Sequence, residues 1–130
     1  MTHAELESLG RRAAACAGWR WRPRMIDVYG RAILDVEADN LWLDRRCQYH
    51  RAESIPASDT LPDLSDPATV GWLLALVREK WGPLSFVGWD GKQWVVFDHM
   101  AATTDDGRAP VATGVTEAAA LVAALEASNG

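Results

Sequence analysis

The chain has 130 residues, 48% of them apolar and 24% charged, with a formal net charge of −5. At that length folding buries about 68% of the unfolded surface, so one core can form without staples and wholesale disorder is excluded. Sequence-nonspecific binding to a polyanion is disfavoured by the net acidity, and no apolar run approaches the ~20 residues of a membrane span.

Thr2 and Glu5 form a capping box, which predicts a helix running to about Ala17. Its apolar stripe is Leu6, Leu9, Ala13, Cys16 and Ala17, with Gly18 as its C-cap. Trp19-Arg20-Trp21-Arg22-Pro23-Arg24 follows, alternating flat aromatic and flat cationic side chains. In an extended segment this alternation sends the Trp to one face and the Arg to the other. From Arg11 to Arg24 there is no acid at all. Such a run can serve as a wall that stacks a base on Trp19 or Trp21 and clamps phosphate with Arg20, Arg22 or Arg24. It can equally be an edge strand whose Trp are buried and whose Arg cover them.

Met25–Tyr29 and Ala32–Glu37 read as a hairpin about Gly30-Arg31, with Asp39-Asn40 turning into a short strand Leu41–Leu43. The stretch from Asp44 to Pro62 is polar and reads as a long irregular loop, a length that in compact domains is usually functional or disordered. It carries a second cationic cluster, Arg45, Arg46, His50 and Arg51. That cluster is a candidate lid over an anionic ligand, or a solvated loop balanced by Asp44 and Glu53. Asp66 and Pro67 open a second helix with Val70, Leu73, Leu74, Val77 and Trp81 on one face, ended by Gly82-Pro83. Leu84–Trp89 and Trp94–Asp98 form a hairpin about Asp90-Gly91. Pro110–Thr113 reads as a last edge strand, and Thr116 caps a terminal helix that packs through Ala119, Val122, Ala123 and Leu125. The expected fold is α+β, a single domain over residues 1–130 in which three α-helices pack on one antiparallel β-sheet.

Catalytic patterns are absent: there is no G-x-S-x-G, P-loop, G-x-G-x-x-G or H-E-x-x-H. Cys47 and His50 have a C-x-x-H spacing, but two Cys and three His are a poor supply for a structural zinc. Asp98, His99, Asp105 and Asp106 read as a polar loop rather than an acid–base or metal site. No metal and no cofactor are expected. The helix opening at Asp66 is a poor anion site because Asp63 and Asp66 occupy its positive end; the helix opening at Thr116 is a better one, weakened by Glu117. Met1–Glu7 has neither the basic nor the apolar region of a signal peptide, and the two Cys read as reduced thiols. Seven Trp exceed what one small core readily closes over, so a homo-oligomer is expected.

Gly18-Trp19-Arg20-Trp21 with Pro23 and Met25, the stretch from Leu61 through Gly71, Leu73–Glu79 and Thr116–Ala127 resemble a family of small uncharacterised proteins of tailed bacteriophages and prophages. The chain is also similar to phage domains described as ABA sandwiches. The resemblance implies a phage accessory protein in the host cytoplasm and no reaction. Joined to the Trp and Arg surface, it gives the expectation of a non-enzymatic protein that counters host defence by sequestering a small anionic, nucleotide-derived ligand. The alternative is a protein-binding inhibitor of a host or CRISPR-type defence factor, with acidic surface and exposed Trp and Arg as hot spots.

Overall fold

The computed structural model describes residues 2–44, 52–98 and 109–128. In chain order these hold α1 (His3–Ala15), β1 (Ala32–Glu37), β2 (Asn40–Asp44), β3 (Ala52–Pro56), a 3₁₀ turn (Ala57–Asp59), α2 (Pro67–Trp81), β4 (Phe86–Trp89), β5 (Trp94–Phe97), β6 (Ala112–Gly114) and α3 (Glu117–Ala127). The class is α+β, as the element pattern requires. The strands, however, form two antiparallel three-stranded sheets, β1-β2-β3 and β4-β5-β6, instead of one. The residues group into two compact units, Met1–Ala15 with Arg20–Trp72, and Cys16–Trp19 with Leu73–Gly130.

In the first unit, α1 opens on the expected capping box: the Thr2 N–H donates to Glu5 Oε2 at 3.0 Å and the Glu5 N–H to Thr2 Oγ1 at 3.1 Å. Its buried face is Leu9, Gly10 and Ala13. Gly10 permits close approach, since a Cβ there would lie 2.7 Å from the Pro62 carbonyl oxygen. β1 and β2 pair from Ala32↔Asp44 to Glu37↔Asn40, with an irregularity at Leu34, and β2 pairs with β3 from Asn40↔Pro56 to Asp44↔Ala52. Ile33, Leu41 and Leu43 lie on the buried face.

The sequence places β3 in an irregular loop, because Ile55 is the one large apolar residue in Ala-Glu-Ser-Ile-Pro and gives no visible alternation. The hairpin expected between Met25–Tyr29 and β1 is reduced to the isolated bridge Ile26↔Ala32, with Asp27↔Pro62 on the other side. The cause is local. The Asp27 carboxylate takes the backbone N–H groups of Tyr29 and Arg31, which a longer ladder would need.

In the second unit, α3 packs on β4, β5 and β6. It is buried nearly all round, through Ala118, Ala120, Leu121, Val122, Ala124 and Leu125. The expected face through Ala119 and Ala123 is therefore corrected; both are only half-buried, because the helix is covered on more than one side. Thr116 caps it as expected, Oγ1 accepting the Ala119 N–H at 3.1 Å. Gly18 is buried and is not a left-handed C-cap. A Cβ there would lie 2.8 Å from Lys80 Cε and 3.0 Å from Leu125 Cδ1, so the position requires small volume rather than unusual backbone. Trp81 Nε1 donates to the Ala124 carbonyl at 2.9 Å, and Arg78 Nε to the Ser85 carbonyl at 2.8 Å. The β4–β5 turn is held by Asp90, whose Oδ1 accepts the N–H groups of Lys92 and Gln93, each at 2.8 Å. Those donors, Gln93 first, keep the Asp90 carboxyl below its ordinary range.

α2 begins as its sequence requires, with Asp66 Oδ2 accepting both the N–H and the hydroxyl of Thr69 at 2.9 Å. Gly71 lies exposed within this helix, and a Cβ there would meet nothing within 4 Å. Gly71→Ala is expected to raise stability by about 0.8–1.0 kcal/mol, the helix-propensity difference, read as an upward shift in the thermal midpoint. No shift would mean that this turn of α2 is not helical in solution.

Candidate functional site

The Trp–Arg run does not form the expected stacking wall. It is divided between the units, Trp19 in the second and Arg20–Arg24 in the first. Trp21 is only 7% exposed, which corrects its assignment to a ligand-facing surface. Trp19 and Arg22 are half-buried, whereas Arg20 and Arg24 are exposed. The inward Trp and outward Arg thus follow the edge-segment alternative, although no strand forms. The chain instead turns at Pro23-Arg24, where the Met25 N–H donates to the Arg22 carbonyl at 3.2 Å and Arg24 has φ 78°. Burial of Trp21 has a simple cause: it is the large apolar residue between two charged ones that must stay in water.

Arg45, Arg46, His50 and Arg51 lie outside the described residues, as do Cys47, His99, Asp105 and Asp106. Among the described residues no group of three or more His, Cys, Asp or Glu is placed to hold a metal ion, and no helix is long and apolar enough to cross a membrane. Of the seven Trp, Trp21 is buried, Trp89 is 56% exposed and the other five are half-buried.

A different site emerges in the first unit, and it is built around Asp27. This carboxylate is fully buried. Its Oδ1 accepts the N–H groups of Tyr29 at 3.1 Å and Arg31 at 2.8 Å, while Oδ2 accepts Arg31 Nε at 2.8 Å and the Thr60 hydroxyl at 2.9 Å. Four donors fill the roughly four acceptor sites a carboxylate has, and one brings a compensating charge. The backbone closes the same turn: the Gly30 N–H donates to the Asp27 carbonyl at 2.9 Å, with Gly30 at φ 79°, and the Val28 N–H donates to the Leu61 carbonyl at 2.9 Å.

This turn presents Tyr29, which is 72% exposed. An aromatic ring left in water normally swings freely. Here the Arg31 guanidinium, itself fixed on Asp27, lies over the ring at 5.1 Å from its centroid, an attraction of about 0.5–1 kcal/mol at an exposed site. Tyr29 forms one side of a groove of about 320 Å³, near the lower end of the ~300–1,000 Å³ usual for small-molecule sites. His3, Glu7 and Arg11 line it from one face of α1, and Ser58, Asp59 and Thr60 from the segment after β3. Glu7 and Arg11 form an exposed i,i+4 pair at 3.2 Å, worth about 0–1 kcal/mol and therefore easily exchanged for a ligand. Asp59 is exposed and, among the described residues, its carboxylate has no hydrogen bond or ion pair.

The groove therefore offers one aromatic face, two carboxylates, a guanidinium, an imidazole and the Ser58 hydroxyl, the Thr60 hydroxyl being committed to Asp27. That set can stack and hydrogen-bond a planar polar molecule. No activated nucleophile and no base oriented by a third group stands among its lining residues. Sequence reasoning missed it because Asp27 and Tyr29 read as alternating strand residues; Asp27 followed by Gly30, a turn-forming pair, was the signal that could have marked it. No protein-family model, curated protein or solved structure matches the chain.

Proposed function

We propose that the protein is a non-enzymatic binding protein that holds a small nucleotide-derived ligand in the groove beside Tyr29, within the phage counter-defence setting its resemblance implies. The observation that carries this reading is the exposed Tyr29 ring, whose backbone is held by a fully buried carboxylate and which is backed on one side by Arg31. Holding the backbone of an exposed aromatic residue and biasing its ring before anything binds lowers part of the ordering cost of stacking a base on it. Arg11 and His3, both lining the groove, are available to a phosphate, Arg11 by exchanging its surface partner Glu7.

Calorimetry of the purified chain with a panel of nucleosides and linear and cyclic nucleotides tests the reading. Tyr29→Ala is expected to weaken binding by about 1–3 kcal/mol, at least several-fold, while Tyr29→Phe retains it. Because Tyr29 is so exposed, neither change should move the thermal midpoint. Failure of every member of the panel to bind below millimolar concentration would remove this function.

A protein-binding role has its own support in the second unit, where Leu84 is 68%, Trp89 56% and Val115 81% exposed. Trp89 stands edge-on to Trp94 at 5.9 Å between ring centroids. A stoichiometric host protein recovered with the wild-type chain and lost with Trp89→Ala would favour that role over the small ligand.

A further inference from the structure

We infer that the base accepted by the Tyr29 groove is guanine, read through Asp59. The inference rests on the ligand-binding role proposed above and specifies the chemistry of its ligand. The groove holds two carboxylates, and they are not equivalent. Glu7 is occupied by Arg11 at 3.2 Å. Asp59 ends the 3₁₀ turn Ala57–Asp59, lines the groove alongside Tyr29, and has no donor among the described residues. An ionised carboxylate is acceptor-only. A base edge that satisfies it must present N–H groups, and two parallel ones are bound best.

Of the common bases, guanine alone places an imino N–H and an amino N–H side by side on its Watson–Crick edge, at the spacing of two carboxylate oxygens. Adenine and cytosine each set a ring-nitrogen acceptor beside their amino group, so one carboxylate oxygen would face a lone pair. Uracil and thymine offer a single imino N–H flanked by carbonyls. Ring stacking on Tyr29 is tolerant of base identity, because every base has a π face. Discrimination in this groove therefore falls to Asp59. The adjoining residue Thr60 anchors the backbone at the end of the 3₁₀ turn, its hydroxyl being committed to the buried Asp27 at 2.9 Å, while the Asp59 side chain stays exposed.

The test compares guanosine, inosine and adenosine by calorimetry against the wild-type chain and Asp59→Asn. Inosine is guanosine without the 2-amino group, so it removes one of the two donors and nothing else. Guanosine is expected to bind about tenfold or more tightly than inosine, the worth of one hydrogen bond to a charged acceptor, and adenosine to bind weakest. In Asp59→Asn the guanosine–inosine difference is expected to collapse, with an unchanged thermal midpoint showing that the fold is intact. Equal binding of all three nucleosides overturns the guanine assignment and leaves the Tyr29 groove standing as a base-tolerant site. A guanosine preference that survives in Asp59→Asn overturns the role of Asp59. Absence of binding by any of the three, with nucleotides also silent, overturns both readings together.

Discussion

Asp27→Ala is expected to destabilise the first unit by about 3–5 kcal/mol, a large share of the ~5–15 kcal/mol that holds a typical domain. The substitution removes an acceptor from four donors at once: the Tyr29 and Arg31 N–H groups, Arg31 Nε and the Thr60 hydroxyl. Thr60 is 4% exposed and the Arg31 side chain 24%, so water replaces the lost oxygen poorly for either. Asp27→Asn should cost less, since one amide oxygen remains, but its NH₂ would face either Arg31 Nε or the backbone N–H groups of Tyr29 and Arg31, donor against donor. Urea unfolding combined with amide exchange at Ile33, whose N–H donates to the Met25 carbonyl at 2.9 Å, reports the loss where it occurs. The same variant should weaken ligand binding, because Arg31 loses its anchor and Tyr29 its fixed backbone. A midpoint unchanged in Asp27→Ala would show that the buried carboxylate does not hold this turn.

Gly114→Val is expected to destabilise the second unit by at least the upper end of the ~1–3 kcal/mol usual for overpacking. The reason is which atoms a side chain would meet. A Cβ on Gly114 would lie 2.7 Å from the Ala119 carbonyl carbon and closer still to the Ala120 backbone nitrogen. Backbone of α3 cannot rotate aside as a side chain can, so either β6 leaves its register opposite Trp94 or α3 shifts off the sheet. Gly88 provides the control within the same sheet. It pairs with Val95, and a Cβ there would meet nothing within 4 Å. Gly88→Ala should be neutral or stabilising by about 0.4–1 kcal/mol through the unfolded chain. Thermal unfolding of the two variants separates the cases; similar losses in both would mean that the α3–β6 approach is looser than these distances indicate.

Much of the fold was legible because it is written in local chemistry. Thr2 with Glu5, Asp66 with Pro67, and Thr116 each mark a helix start through a side-chain oxygen placed to take an orphan N–H, and all three helices begin within a residue of those marks. Asp90-Gly91 likewise gave the β4–β5 turn. What could not be read depends on long-range pairing. β3 owes its existence to the facing strand β2, not to its own pattern, and no local signal separates one sheet from two. The site was less legible still. The alternation marks Trp21 as a candidate, yet a Trp in sequence does not declare which side of it is solvent. Tyr29 carries no such mark, because its exposure follows from a turn that Asp27 imposes with the help of Thr60, 33 residues further along the chain.

Neither unit is an uninterrupted stretch of chain. The second borrows Cys16–Trp19 from within the first, and α2 contributes Pro67–Trp72 to one and Leu73–Trp81 to the other. Gly18 sits against Lys80 and Leu125, so this buried glycine is part of the second unit's filling. A fragment beginning at Leu73 would keep the β4-β5-β6 sheet and α3 but lose that filling and the capped first turns of its own helix. A single cut in the chain therefore cannot separate the two units intact.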